Sequence, residues 1–444
     1  MKYLYWCFFL ILFNGCTPKI SQSETISTTH KKIEKIAFIK GLNDIPQTVS
    51  FYTKHIDKGY ISSLDNYARI YFQAWNIERM DISLKNAMWA YEVFNATNSY
   101  GENLQALDNS FFIQMKENSD FSSYSSLNKR AITLVKSNIR AFPTDRPVFR
   151  DPKKAGEGFP FDYMQNSTIA ANKPIFVSHY SKDKEWVFIK SSFAYGWLKT
   201  RDIVFIEKKY TDIWQNAQQI FITKDNKSFY TPWQDFLFKS TIGTMLPLVE
   251  ERENEFIVLS IGNYKLKKPY YIKSKLSKKN GHKGILQFNA QNINLIMNEL
   301  LHVKYGWGGL YNQRDCSSTI RDFFAPFGVW LPRNSYQQSR VGKVISLEGM
   351  SDKEKIATIK EQAVPFETLL YRKGHIVLYI GTLNGKIIIF QNVWGIKTKE
   401  NGNEARYIIG KTIFSTLQVG SNLKTFNEEA SMLKNLKSMN IVTF

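Results

Sequence analysis

The chain has 444 residues, more than one hydrophobic core normally organises, so a single small domain is excluded and about two to four domains are expected. An aromatic content of 15% argues for packed cores and against a disordered polymer. The 59 Lys+Arg against 39 Asp+Glu give a net charge of +20, which suits an anionic partner such as acidic lipid or a wall polymer; without an RNA-binding motif or zinc-finger spacing, nucleic acid is not expected.

In chain order, residues 1–16 read as an export signal, with Lys2 ahead of an apolar run over 3–13 that is too short to span a bilayer comfortably. The segment closes on Phe13-Asn14-Gly15-Cys16, which resembles a bacterial lipobox. That resemblance implies acylation of Cys16 and a periplasmic protein held to the membrane by lipid, with Thr17 favouring the outer membrane. Cleavage by the ordinary signal peptidase, leaving a soluble periplasmic protein, is the alternative. Residues 17–42, rich in Ser, Thr and Lys, read as a flexible tether. Over 43–126 the pattern turns helical. Ile82, Met88, Trp89, Tyr91 and Phe94 crowd one region, and Leu104, Leu107, Phe111, Phe112 and Met115 follow 3–4 spacing, as core contacts of a small helical cap would. From 127 to 210 the period falls to two, with candidate strands at 131–139, 175–178, 186–190 and 196–198. Residues 211–280 alternate in the same way.

The last region, 281–444, opens with a helix whose buried face is Ile293, Ile296, Met297, Leu300 and Leu301. Ser351 and Glu354 form a capping box for a later surface helix. Two apolar runs, 375–381 and 386–392, flank Asn384-Gly385, a strong hairpin signal, and 405–417 supplies a further strand or two. Helices followed by an antiparallel sheet make this an α+β domain.

Cys316 is placed as a nucleophile would be. Asp315 is a good N-cap, and Ile320, Phe323, Phe324 and Phe327 form one helical stripe, so Cys316 falls in the first turn of a buried helix. Unpaired N–H groups and the positive end of the dipole there favour a thiolate. The other reading is a small buried thiol. Only Cys7, Cys16 and Cys316 exist; removal of the first and acylation of the second leave Cys316 without a disulfide partner in an oxidising compartment, which favours the catalytic reading. The histidines are His30, His55, His179, His282, His302 and His375, and no two stand at metal-ligand spacing, so neither a metal nor another cofactor is expected. His302 ends a helix, where positive charge is favourable. His375 follows Gly374 and opens an apolar strand, where a polar residue is unexpected for packing and expected for a base.

The motifs YGWGGLYNQRDCSS, WLPRNSYQQS and PFETLLYRKGHIVLYIG resemble the NlpC/P60 cysteine peptidases, over about 293–417. Within that family the chain is similar to the bacterial cell-wall group that carries SH3b domains ahead of the catalytic one; PFDYMQNS and SKDKEWVFIKSSFAYGWLKTRDI resemble the first SH3b domain. The resemblance implies a helical N-terminal domain, SH3-like barrels at 127–210 and 211–280, and a papain-like domain at 281–444. It implies that Cys316 attacks a carbonyl with His375 as its base, and that the Tyr305 hydroxyl and the Cys316 N–H hold the oxyanion. Asp315 and Ser317 would bind the substrate's free amine, and Tyr195 would narrow the cleft. The implied substrate is the γ-D-glutamyl bond to diaminopimelate in peptidoglycan stem peptides, with L-Ala free at the N-terminus, cut by a monomer. A wall-binding lipoprotein with an inactive peptidase domain, and an acyltransferase or amidase using the same dyad, are the other classes.

The third catalytic member departs from the family, which has a second histidine on the following strand. Here that stretch reads Ile389-Phe390-Gln391-Asn392-Val393-Trp394. Gln391 aligns with the histidine through Trp394-Gly395, whereas an ideal two-residue turn at Asn384-Gly385 would put Asn392 on the face of His375; one bulge reverses that choice. Gln391 is the favoured residue.

Overall fold

Residues 38–54, 56, 62–154, 156–263 and 269–443 are described in the computed structural model. The export signal with Cys7 and Cys16, the tether up to residue 37, and His30 and His55 lie outside them. Ile39 is buried, and Gly41 accepts the Thr416 N–H at 2.9 Å, so residues 39–42, expected as the end of a tether, are part of the folded chain. Among the described residues no helix is long and apolar enough to cross a membrane.

Seven antiparallel strands between Lys129 and Phe205 make the first barrel. The run expected as one strand over 131–139 is two, Lys129–Thr133 and Ser137–Arg140, because the chain turns at 134–136. Ile175, Val177, Val187 and Ile189 fill the barrel interior. The residues between them, Phe176 and Phe188, are equally buried, but against the helical segments. These strands are therefore covered on both faces, and the period of two expected over 127–210 does not extend to their burial.

The second barrel is a five-stranded sheet plus the hairpin Ser228–Tyr230 with Phe236–Lys239. Its last strand, Gly281–Lys283, pairs with Gln219–Ile222, which moves its end past the expected border at 280. The helical region is threaded along both barrels. Tyr67, Tyr71 and Trp75 share one core with Ile132 of the first barrel and Phe221 and Val258 of the second. A separate core joins Phe94, Phe111 and Met115 to Phe142 and Met164. Leu104, expected in that helical stripe, is instead half exposed in a turn, and the helix proper is Asn109–Asn118.

The third unit places the site. Helix Ala290–Leu300 buries Ile293, Ile296, Met297 and Leu300 as the spacing predicts, and Leu301 follows as its cap. Helix Cys316–Phe324 packs Ile320, Phe323 and Phe324 into a core with Phe288, Leu378 and Phe390. Each such side chain contributes about 1.5–3 kcal/mol of burial, so the helix is fixed against the sheet behind it. That sheet is antiparallel, ordered Lys343–Ser346, Ser438–Ile441, Thr368–Arg372, His375–Leu383, Lys386–Glu400, Asn403–Thr416. The Ser438–Ile441 strand, which returns from the C-terminus, was not visible as a strand in the sequence pattern. The Ser351/Glu354 capping box forms on helix Asp352–Gln362.

Candidate active site

Asp315 caps the helix that begins with Cys316, accepting the Ser318 N–H at 2.8 Å while the Ser318 hydroxyl takes the Asp315 N–H at 2.9 Å. This reciprocal box fixes the first turn. Cys316 is 8% exposed at the wall of a cleft of about 970 Å³, which Tyr305, Trp307, Arg333 and Tyr195 also line. The N–H groups of Ile376 and Ser317 face its sulfur. Ile376 is the neighbour of His375, so the strand that carries the histidine meets the thiol.

The hairpin decides which residue holds that histidine. Asn384 and Gly385 take left-handed φ values of 49° and 76°, and pairing starts in the ideal register with Leu383 opposite Lys386. Between Tyr379 and Gly381 the register slips by one, so that Tyr379 faces Ile389. Gly381 sits at φ 132°, a conformation that only glycine takes without strain, and this is where the strand kinks. The slip brings Gln391 to the face of His375, with Nε2 2.8 Å from Gln391 Oε1. Asn392 points the other way and donates to the Arg314 carbonyl at 2.9 Å and to Thr319 Oγ1 at 3.2 Å.

The direction of the hydrogen bonds fixes the histidine tautomer. Ser415 Oγ donates to the Thr416 carbonyl at 3.1 Å, so it must accept from Gln391, whose Nε2 lies 2.6 Å away. Gln391 therefore presents its oxygen to His375, and the imidazole must carry its proton on Nε2. Nδ1 makes no hydrogen bond among the described residues and is left with a lone pair, as a base requires.

The electrostatics reverse one expectation. Burial pushes the Cys316 thiol up to about 12, and the Asp315 carboxylate adds to this; the Ile376 N–H only partly offsets them. Burial likewise pulls His375 down to about 4, against the Gln391 hydrogen bond. The resting pair is thus neutral thiol and neutral imidazole, and the helix terminus does not by itself yield the thiolate expected there. Tyr305 is raised well above its ordinary range by burial, then by Cys316 and Asp315, so its hydroxyl keeps its proton and can donate.

Arg333 was missed by the sequence reading. It is buried and grips Asp315 through two bonds of 3.1 and 2.7 Å, while also donating to Ser317 Oγ at 2.9 Å and to Ser167 Oγ of the first barrel at 2.7 Å. Burial disfavours the Asp315 charge, but Arg333 and the Ser318 bonds outweigh it and hold the carboxyl below its usual range. Gly308 N–H also reaches Asp315, at 3.2 Å. The two oxygens are thus committed, and a substrate amine would have to compete with Arg333 for the residue expected to receive it. The signal for Arg333 was a cation directly after the apolar run 329–332. Tyr195 lines the cleft and donates to the Asn86 carbonyl at 3.3 Å. His179 is buried between Ser178 and the Ser119 carbonyl, and His302 is exposed.

Residues 302–407 match the model of the NlpC/P60 family. Residues 147–199 match an SH3 domain of SH3b1 type, 208–253 an SH3 domain of SH3b2 type, and 5–124 an N-terminal NLPC_P60 stabilising domain. Among solved structures, an NlpC/P60 endopeptidase from Photobacterium damselae subsp. piscicida aligns over 90% of this chain and 97% of its own, at 23% identity and a TM-score of 0.78. An NlpC/P60 family protein from Bacillus cereus ATCC 10987 aligns over 70% and 99%, at 15% identity and a TM-score of 0.46. The curated proteins give no match.

Proposed function

Because this chain belongs, through residues 302–407, to the NlpC/P60 family of cysteine peptidases, we propose that it is a cell-wall endopeptidase cleaving the γ-D-glutamyl–diaminopimelate bond of peptidoglycan stem peptides. The observation that carries the reading is the buried cysteine at a helix start, its sulfur met by the N–H of Ile376, next in the chain to a histidine whose free nitrogen is set by Gln391. The SH3b-type barrels supply the affinity for peptidoglycan.

In this mechanism Cys316 Sγ attacks the carbonyl carbon and its proton passes to His375 Nδ1. Since the resting pair is neutral, that transfer accompanies attack rather than preceding it. The Tyr305 hydroxyl and the Cys316 N–H receive the oxyanion. Collapse breaks the C–N bond, and the imidazolium protonates the leaving amine. Water, deprotonated by Nδ1, then opens the thioester and returns the proton to sulfur. Asp315 acts through Arg333 and the helix cap, and Ser317 helps seat Arg333.

The export signal and acylated Cys16 would place the enzyme on the periplasmic face of a membrane, within reach of the wall. Mass spectrometry of L-Ala-γ-D-Glu-diaminopimelate digests, with free and with blocked N-termini, tests the reading. Release of diaminopimelate from the free peptide is expected, and release from the blocked one as well would show that Asp315, gripped by Arg333, does not receive the amine. Intact peptide in both digests would sink the assignment.

A further inference from the structure

Alongside the nucleophile helix, where the helical region, both barrels and the catalytic domain meet, lies a second cavity of about 40 Å³. A void needs roughly 10–15 Å³ to hold one water, so this one has room for a few waters or one small oxyanion. Ser192, Phe193 and Trp330 line both it and the active-site cleft.

The charges around it do not balance. Lys136, Lys173, Arg314, Arg321 and Asp322 line the space, and Asp225 joins from beside Arg314. Four cations meet two carboxylates, a surplus of 4 − 2 = 2 positive charges. Arg314 pairs with both Asp225 and, at 2.8 Å, Asp322, and Arg321 reaches Asp322 at 3.1 Å. That quartet is neutral, which leaves the two lysines without a carboxylate among the described residues. Lys173 Nζ has only the Gly243 carbonyl at 3.4 Å and the Tyr71 ring at 3.7 Å; Lys136 Nζ has only the Asn312 carbonyl at 3.0 Å. Arg321 Nη1 is buried with no hydrogen-bond partner. One buried donor, Arg321 Nη1, thus lacks an acceptor beside two lysines that hold a single carbonyl each, and a buried donor without an acceptor is costly.

We propose that this cavity binds one small inorganic oxyanion, of the size and charge of phosphate, held by Lys136, Lys173 and Arg321. The anion supplies the missing negative charge and the acceptor that Arg321 lacks at once, and a guanidinium with two flexible ammonium groups suits its several oxygens. Burial lowers Lys173 well below its usual range and Lys136 to about 8, and an anion between them would raise both again. Because Arg321 and Asp322 stand on the helix that begins with Cys316, an occupied site would brace that helix from the side away from substrate chemistry.

The test uses thermal unfolding of the purified full chain, with sodium phosphate or sodium chloride added at matched ionic strength and pH. A saturable rise in Tm of a few degrees with phosphate, beyond that with chloride, is expected, because a ligand of the folded state raises Tm by mass action. Calorimetric titration should give one phosphate per chain. Lys173→Met should remove the phosphate-specific rise, and Lys136→Met serves if the first variant does not fold. Equal rises with both salts, or a phosphate-specific rise that survives in the folded variants, would overturn the proposal.

Discussion

Gln391 holds His375 through an uncharged amide, so in the proposed mechanism the imidazolium formed during attack would be oriented but gain no counter-charge. Gln391→Ala is expected to lower kcat by ~10- to 1000-fold with little change in KM, less than the ~10⁴ lost when a carboxylate orienter is replaced. Gln391→His should be tolerated, since it can hold the same nitrogen. Ser415 enters the scheme from the structure alone. Ser415→Ala frees Gln391 to flip, and a kcat loss rescued by Ser415→Thr would mark it as a positioning residue. Cys316→Ala and His375→Ala should each abolish hydrolysis, and the double variant should lose scarcely more, because the pair acts as a unit. The pH profile follows from the same burial. His375 must be neutral to accept a proton and titrates near 4, so kcat/KM should hold as pH falls to 5 and drop only below that. Gln391→Glu should move this acid limb upward, because a carboxylate favours imidazolium. Stability obeys the matching sign. Between the ordinary histidine value of 6.5 and about 4 the unfolded chain takes a proton that the folded one refuses, so stability falls as pH falls through that window. The places of Cys316 at a helix start and His375 at a strand start were legible in the pattern. Arg333 was not, because its partners lie 18 residues back and in another domain.

Among elements, the hairpin was legible down to its turn, since Asn-Gly states its own geometry. Its bulge was not, because the slip arises from how two strands lie on the sheet and leaves no local signature beyond Gly381. Asn392 shows what this ambiguity conceals. It was the rival of Gln391 for the face of His375, but it ties the strand to Arg314 and Thr319 around Cys316. Asn392→Ala should therefore cost stability, on the order of 1–3 kcal/mol for a broken buried hydrogen-bond pair, with activity falling in step with Tm. The loop ahead of Cys316 has a sharper constraint. Gly308 and Gly309 have φ values of 59° and 88°, and a Cβ on either would run into Gln165 or Thr168 of the first barrel. Gly308→Ala should lower kcat/KM more than it lowers Tm, as the loop carries a hydrogen bond to Asp315. Loss confined to Tm would show that the loop only seals the barrel against the domain.

For the whole molecule, the period revealed helical, strand-rich and α+β parts and the family resemblance made the strand-rich parts barrels, but neither showed that they share cores. Tyr67, Tyr71 and Trp75, in the stretch expected to be a separate helical cap, are packed between two barrels. A fragment of residues 284–444 alone should be insoluble or inactive, judged by expression and peptide hydrolysis, since it would bare Ile285 and Trp330, which pack on that shared core. Cys16→Ser should shift the protein from the membrane fraction to the soluble periplasm; unchanged partition would refute the lipid anchor. The Ser167–Arg333 bond and the Gly308–Gln165 contact have one more consequence. The catalytic wall is written by two genetic modules, so a chimaera that exchanges the first barrel alone inherits a mismatched seam. The unit of exchange is the pair, and recombinants that preserve activity should keep residues 165–168 together with 306–309.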